Sequence, residues 1–543
     1  MSKRPHTFVT VAAAFVLGVV HFFYYQQRML ASPYHFNDDV VQHYAWLFGG
    51  DWTDPFYATT SGEIQPWGFR ALLYLLSPLT DAVTLSHYGP LLITVLITVY
   101  ATCLLRKAFP LVLALAGGYL IAQMTIFTGH GFLARGFSTP LLLMFAYYLV
   151  DRSAWGIAVS LILAGVFYPP VLLINGFILA PFMLAWTARR PWRTRGWSVR
   201  PYAIIVGGAL LAGLLTYLQA WTIEQSPRLG ELFTRAELLS MPEFGGRGRV
   251  IFTNITNTPT EWMLRYYQRL LVGIWPAPDF GLFLLASAAV LCLVTRRRTA
   301  AVGAYVILLF VVTAGLYHLA RVMTPKLFMA DRYLQYPWRM GVPLLYSYLA
   351  GALWAVLPRW WTAVPLSLVL VLLGYRHMQP EEYPVISVSD KAAMYERIRE
   401  LPPDALLAAP PQEASFIPLV TRRSVLLGHE QAHALYFRHY YDYVTPRYRD
   451  YQDAVTADSL DQVVAFLDRY GVDYLLLDRN FLENSDRDYF EPYRTRFTEL
   501  TQDRPADDFA LLRVPATVGD RFKNDLQLVS RSQLDSLARL TAD

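Results

Sequence analysis

Residues 91–124 read LLITVLITVYATCLLRKAFPLVLALAGGYLIAQM, two apolar runs separated by the cations Arg106 and Lys107. Each belongs to a longer stretch, 84–105 and 109–127, close to the 20 or so apolar residues that carry a helix across a hydrocarbon core. Working outward, the same pattern recurs at 8–25, 136–150, 154–168, 170–187, 202–223, 280–295, 300–318, 340–357 and 361–377. The chain reads as an α-helical polytopic membrane protein of about eleven transmembrane helices. The first run follows Lys3 and Arg4 as a signal peptide would, but no small-residue cleavage site follows it, so it reads as an uncleaved helix.

The connections alternate in charge. Lys3 and Arg4, Arg106 and Lys107, Arg152, the group Arg189 to Arg200, Arg296 to Arg298 and Arg359 all fall on one side, which the positive-inside rule makes cytoplasmic. An odd number of spans then leaves the C-terminus outside. The expected division is a transmembrane part, 1–379, with outer loops 26–83, 224–279 and 318–339, followed by an extracytoplasmic α/β domain, 380–543. Long connections of distinct composition usually carry function, so the chemistry is expected on the outer face.

Composition agrees. The 543-residue chain is 54% hydrophobic and 16% charged, against about 25% charged in an ordinary soluble protein. The net charge of +5 comes from short basic clusters between apolar runs, which set orientation and do not point to nucleic acid. Cys103 and Cys292 both lie in apolar segments, so neither a disulfide framework nor a thiolate metal site is available. In the tail, Ser459 and Gln462 form a capping-box pattern before an apolar helical face. Gly471 follows as a helix stop, then an apolar strand at Tyr474–Leu477, with another strand expected at Phe509–Val514. A glycine-rich phosphate loop is missing from this tail, which speaks against a nucleotide role.

The sharpest local feature is Phe36-Asn37-Asp38-Asp39-Val40-Val41-Gln42-His43 in the first outer loop. Adjacent carboxylates near a membrane surface suit acceptance of a proton from an attacking hydroxyl, or ligation of a divalent cation through oxygen. If a helix begins near Asn37, Asp39 and His43 lie four apart on one face. The plainer reading is that Asn37 or Asp38 caps an interfacial helix. Trp46, Trp52, Phe56, Tyr57 and Trp67 in the same loop fit an interfacial aromatic belt or a surface on which sugar rings stack.

The late outer loop breaks the positive-inside trend. Arg321, Lys326, Arg332 and Arg339 stand there against the single acid Asp331, and Arg135 is another outer-face cation at a helix end. Guanidinium groups at a bilayer surface are natural ligands for phosphate, although some can serve anionic headgroups or loop carboxylates instead. An acidic first loop and a cationic late loop together meet the needs of sugar transfer from a polyprenyl-phosphate carrier. The cations stabilise the phosphate leaving group while an aspartate activates the acceptor.

With Phe36–His43, Phe132–Leu142 and Leu401–Asp478, the chain resembles the C-type (GT-C) membrane glycosyltransferases, which include protein mannosyltransferases and oligosaccharyltransferase catalytic subunits. The resemblance is architectural over most of the chain, and only Asp38-Asp39 is motif-like. It implies a glycosyltransferase of a bacterial inner membrane, with Asp38 or Asp39 as general base and a polysaccharide, lipid or protein acceptor. Two departures stand out: the pair is Asp-Asp where the family often has Asp-Glu, and the second outer connection, 128–135, has no acid for the metal-binding motif some members carry. The alternatives are a non-catalytic assembly protein of the same architecture and a lipid-linked sugar transporter. A transporter is expected to place charges within its helices and to show an internal repeat, and neither is evident here.

A competing motif is His429-Glu430-Gln431-Ala432-His433, which matches the zinc-protease pattern, with His439 where a third ligand would fall. Tyr436 replaces the glycine that turns such chains, and on a continuous helix His439 points about 80° away from His429. These histidines read as interfacial or acceptor-contacting residues.

Overall fold

The computed structural model describes residues 4–36, 40, 55–188, 199–241, 287, 297–327, 329–356, 360–377, 385–410, 414–428, 436–455, 460–478 and 526–530. Asp38, Asp39 and His43, the expected span 280–295 apart from Ser287, the motif 429–433 and the expected strand 509–514 lie outside these residues.

The described chain is mostly helical. The helices used below are α1 (Arg4–Tyr25), α2 (Pro55–Ile64), α3 (Trp67–Leu76), α4 (Ala82–Arg106), α5 (Leu111–Met124), α6 (Ser138–Asp151), α7 (Ala154–Phe167), α8 (Pro169–Ala188), α9 (Arg200–Glu224), α10 (Arg297–Met323), α11 (Arg332–Val356) and α12 (Trp360–His377). Among the described residues, five stretches are long and apolar enough to cross a membrane: Thr7–Tyr25, Ala82–Arg106, Pro169–Thr187, Arg200–Glu224 and Thr299–Met323. Shorter apolar helices, α3, α5, α7 and most of α12, accompany them.

Local sequence sets the helix starts. Asp81 caps α4, its Oδ1 accepting from Thr84 N at 2.9 Å, and the Ser153 hydroxyl accepts from Gly156 N at 3.2 Å to start α7. Both satisfy amides that the first turn leaves unpaired. In the middle of the bundle α6 packs against α4, α7, α8, α10 and α11. It buries Ser138, Thr139, Leu142, Phe145, Ala146 and Leu149, as expected of a helix enclosed on all sides. The outer helices do the opposite. Phe15, Val16 and Val20 on α1, Leu210, Leu214 and Trp221 on α9, and Val364, Leu368 and Leu372 on α12 are exposed. Apolar stripes of this extent on separate helices are faces for lipid.

Among the described residues, two segments expected as loops are largely helical. The stretch 26–83 contains α2 and α3, and the stretch 318–339 is divided between the last turns of α10 and the first turns of α11. Only 324–331 connects them, so Arg321, Arg332 and Arg339 stand on helices. The apolar pattern ended early here because Pro337, Trp338 and the cations interrupt it, yet the backbone continues through Pro337 and Pro343. Proline inside a bundle helix is tolerated because neighbouring groups re-satisfy the freed carbonyl.

The tail carries a four-stranded sheet in the order β4-β3-β5-β6, from β3 (Leu406–Ala408), β4 (Ser424–Val425), β5 (Tyr474–Asp478) and β6 (Leu526–Ser530). The pairs β3–β4 and β3–β5 are parallel, and β6 runs antiparallel to β5. Helices α13 (Ala392–Arg399), α14 (Ile417–Thr421), α15 (Arg438–Val455) and α16 (Leu460–Tyr470) accompany the sheet. Gly471 ends α16 at φ +63°, a conformation that only glycine takes without strain.

Two clamps join tail and bundle. In the first, β1 (His35–Phe36) pairs antiparallel with β2 (Ile386–Ser387), and Phe36 lies 5.6 Å from the Phe416 ring. In the second, Arg438 at the start of α15 donates to both Glu237 carboxylate oxygens at 2.7 and 2.8 Å. Backbone bonds from Phe233 N to Tyr436 O (3.0 Å) and from Arg438 N to Glu231 O (2.9 Å) flank that pair. Phe56 of α2 stacks on Tyr443 at 3.6 Å in the same cluster.

Arg438 and the Thr234 cap hold the Glu237 carboxyl well below its usual 4.5, at about 2. A carboxylate depressed in the fold stabilises it above the unfolded value and loses that contribution as pH falls through the folded one. Acidification from pH 5 toward 2 should therefore lower the protection of the Phe233 and Arg438 amides, measured as hydrogen exchange relative to the intrinsic rate at each pH, and Arg438→Gln should remove this acid-induced step. Packing gives a second expectation. A Cβ on Gly89 would sit 2.3 Å from Phe132 Cγ, whereas one on Gly213 meets nothing within 4 Å. Gly89→Ala should cost about 1–3 kcal/mol, seen as a lower Tm in detergent, with Gly213→Ala unchanged or slightly more stable.

Candidate functional site

The residues that flank the acidic pair and Arg135 in sequence, Phe36 and Phe132, are both held on the first turns of α4. There the His87 Nε2 donates to the His35 carbonyl oxygen at 2.8 Å, which fixes β1 to the helix. Phe36, fully buried, stands 6.4 Å from the His87 ring. Val40 is also fully buried in the main core. Asp38 and Asp39 are thus bracketed by two anchored residues, while they and His43 lie outside the described residues.

Two residues along α4, Gly89 leaves the space that the Phe132 ring fills. Phe132 takes φ +54° directly after Gly131 at φ +66°, so the connection folds back over α4. Its ring lies 6.0 Å from Phe69 of α3 and 5.9 Å from Phe137. Phe137 in turn lies 4.8 Å from Phe167 at the end of α7. Between these aromatic anchors, Arg135 is half-buried on a 3₁₀ turn over Ala134–Phe137 that leads into α6.

Tyr168, between α7 and α8, ties Arg135 to the start of α11. Its hydroxyl is pushed up to about 12 by burial, opposed by the Arg332 guanidinium, reinforced by Asp331 and opposed again by Arg135. Tyr336 stands 5.9 Å from the Tyr168 ring, edge to face, and Arg332 lies 5.3 Å over Tyr336 one turn along α11. Arg332 Nε also donates to Met329 Sδ at 3.4 Å. From the tail, Tyr436 is raised by burial and lowered by the field of Arg332. Arg332 therefore borders the connection between α7 and α8 and the tail at once.

The remaining cations fall into two groups. Arg321, nearly buried in the last turn of α10, lies 5.7 Å over Tyr317, and Tyr317 feels both Arg321 and Asp331. Arg339 lies 5.6 Å over Phe127. Seven residues after Arg332, it shares that residue's face of α11, about 10 Å further along. Lys326 is exposed in the connection between α10 and α11 and, among the described residues, is in no ion pair. Arg135 and Arg332 thus act on Tyr168 and Arg321 on Tyr317, with Asp331 within reach of both rings; Arg339 stands two turns along from Arg332, and Lys326 lies apart.

The sequence pattern did not point to Tyr336, His87 or Gly89, and it met Tyr436 only as the residue that replaces a glycine in the zinc pattern. The available signal was Tyr168 immediately before Pro169-Pro170 and the four-residue spacing of Arg332 and Tyr336, which stacks a cation on a ring along a helix. His439, the third residue of the competing zinc pattern, has its Nδ1 3.0 Å from Pro227 O. Among the described residues no group of three His, Cys, Asp or Glu side chains is arranged to hold a metal ion.

In sequence the chain matches no protein-family model and no curated protein. In structure it is similar to the Archaeoglobus fulgidus oligosaccharyltransferase in complex with zinc and sulfate, at 12% identity over 87% of this chain and 68% of that one, TM-score 0.43. It is also similar to the archaeal oligosaccharyltransferase AglB from the same organism, in complex with an inhibitory peptide and a dolichol-phosphate (12% identity, 88% and 70% covered, TM-score 0.42). ArnT from Cupriavidus metallidurans bound to undecaprenyl phosphate is a third likeness, at 12% identity with 90% and 95% covered and TM-score 0.39. At this level the likenesses are too coarse to place any individual residue of this chain.

The cationic group makes its own prediction. Arg332→Gln should weaken binding of inorganic pyrophosphate to the detergent-purified protein by about tenfold, the usual loss of one charge-assisted hydrogen bond. Lys326→Gln should change it less than twofold on the order of surface-charge effects, both read by calorimetry.

Proposed function

We propose that the chain is a membrane glycosyltransferase that moves a sugar from a polyprenyl-phosphate carrier to a polysaccharide, lipid or protein acceptor at the extracytoplasmic face of a bacterial inner membrane. In this reading about eleven helices cross the bilayer, the N-terminus is cytoplasmic, and the tail from 380 onward is an outer domain. One observation carries it: neighbouring residues of α4, His87 and Gly89, hold Phe36 on one hand and Phe132 on the other. The acidic pair follows Phe36 by two and three residues, and Arg135 follows Phe132 by three. With consecutive Cα atoms about 3.8 Å apart, Asp38 or Asp39 is proposed to act within reach of Arg135.

The chemistry then divides among the residues. Asp38 or Asp39 accepts the proton of the acceptor hydroxyl as its oxygen attacks the anomeric carbon. The bond from that carbon to the carrier phosphate breaks, and the departing phosphate takes the electron pair. Arg135 and Arg332, with Arg321 and Arg339 behind them, stabilise the charge that develops there. Tyr168, partly exposed between α7 and α8, offers a ring face for the sugar, with the buried Tyr336 packed against it. His43, if helical with Asp39, contacts the acceptor. A divalent cation held by Asp38 or Asp39 is compatible with oxygen-ligand chemistry and is not required by the proton transfer.

Separate Asp38→Asn and Asp39→Asn variants test the reading, because each keeps shape while removing charge. Membranes containing each variant, checked for expression and folding, are assayed for transfer of radiolabelled sugar from polyprenyl phosphate. One substitution should lower transfer at least about 100-fold, the lower range of general-base catalysis. Wild-type activity in both variants would sink the mechanism.

A further inference from the structure

The start of α4 also borders a second, separate feature. A cleft of about 450 Å³ lies between α4 and the tail, lined by Asp81, Ala82 and Val83 on one side and by Arg399 and residues 419–423 on the other. Its charged lining is three arginines, Arg399, Arg422 and Arg423, against Asp81. The Asp81 carboxylate is already committed. Although burial works to raise it, bonds from the Thr84 hydroxyl and amide hold it below the usual carboxylate range, and the positive end of the α4 dipole offsets its charge.

The arginines differ in what holds them. Arg399 donates from Nε and Nη2 to Val420 O at 3.1 and 2.9 Å and pairs with Glu396 through Nη1. Arg423 donates to Leu401 O at 2.5 and 3.0 Å and to Arg399 O at 2.6 Å. Those carbonyl oxygens fix the guanidinium without cancelling its charge. Arg422 is exposed and, among the described residues, its side chain is in no hydrogen bond or ion pair. It also caps α14 at φ +58°, where glycine is the usual residue and a side chain is strained. An arginine stands at the strained position, with its charge free at the mouth of a cleft whose walls are positive.

The position of the cleft identifies the ligand class. Helix α4 is a candidate membrane span beginning at Ala82. The end of α3 and the turn before α4 present Leu75 at 70% and Leu79 at 78% exposure, apolar side chains suited to acyl chains. The cleft therefore opens where lipid headgroups lie, and guanidinium groups recognise phosphate oxygens in pairs. We propose that this cleft binds the phosphate of an anionic membrane lipid, with Arg422 supplying the ion-pairing guanidinium and Arg399 and Arg423 the fixed positive walls. The site is distinct from the group around Tyr168 and does not depend on sugar transfer.

The test uses the full-length protein in phosphatidylcholine nanodiscs with increasing phosphatidylglycerol, read as Tm. Wild type should be stabilised by phosphatidylglycerol, and Arg422→Gly should need an about tenfold higher mole fraction for the same shift. Because glycine suits the φ of this cap, Arg422→Gly should match or exceed wild type in phosphatidylcholine alone, which separates lost binding from lost folding. Arg397→Gln, on the same helix as Arg399 and outside the cleft, should respond as wild type. An Arg422→Gly response equal to wild type would overturn the proposal. So would full reproduction of the wild-type shift by soluble glycerol 3-phosphate, which would make the ligand a soluble phosphate ester.

Discussion

The hydrogen bond from His87 to the His35 carbonyl, together with the space left by Gly89, is the constraint on which the chemical end of the molecule depends. One face of a single helix start receives strand β1, and a neighbouring face receives the aromatic fold-back at Phe132. The helix is itself fixed there by the Asp81 cap. A buried imidazole without its carbonyl partner costs about 1–3 kcal/mol, and a side chain at 89 collides with Phe132. Either change moves a functional segment without touching it. Helix α4 packs against α1, α5 and α6, which gives these few residues a rigid base.

The tail is held at two places by unlike means. At β1–β2 the joint is continuous with the main core, since Phe36, Tyr395, Leu407 and Ile417 share one buried cluster with the bundle residues Leu104, Phe145 and Leu345. At Arg438–Glu237 the ion pair is exposed, so solvent and salt screen it and its role is orientation. Stability there comes from the aromatic cluster of Phe56, Phe233, Tyr440 and Tyr448, each ring contributing roughly 1.5–3 kcal/mol on burial. The ion pair selects the register in which those rings meet. Burial decides whether they stay together.

How far the sequence could be read follows from how local each signal is. The helix at α16, the glycine stop at Gly471 and the strand from Tyr474 were legible because cap, periodicity and positive φ are written within a few residues. The edge strand β6 was not, since Leu526–Ser530 is short and its partner Tyr474–Asp478 is distant in the chain. The cationic segment was legible in composition and misread in form. Arg321, Arg332 and Arg339 were expected on a loop, and a window tuned to apolar runs cannot see that helices continue through charged turns and two prolines. The meeting of Arg135 with Arg332 across Tyr168 is a property of packing. It is encoded in Gly89 and Phe132, neither of which looks chemical.

The placement of the cations argues further. Arg321 ends α10, where the helix dipole favours positive charge, but Arg332 begins α11, where the same dipole disfavours it by roughly 0.3–1 kcal/mol. Asp331 precedes it, and the Asp331 carbonyl accepts from Leu334 N and Gln335 N at 3.0 and 2.7 Å. Its carboxylate answers one cation, while Arg135 and Arg321 bring two more into the same neighbourhood. A phosphate placed there would meet the amides of a helix start and several guanidinium groups together, turning each repulsive element into an attractive one. On the proposed function, the departing carrier phosphate is the anion that would meet the start of α11 and offset the charge that Arg332 places there.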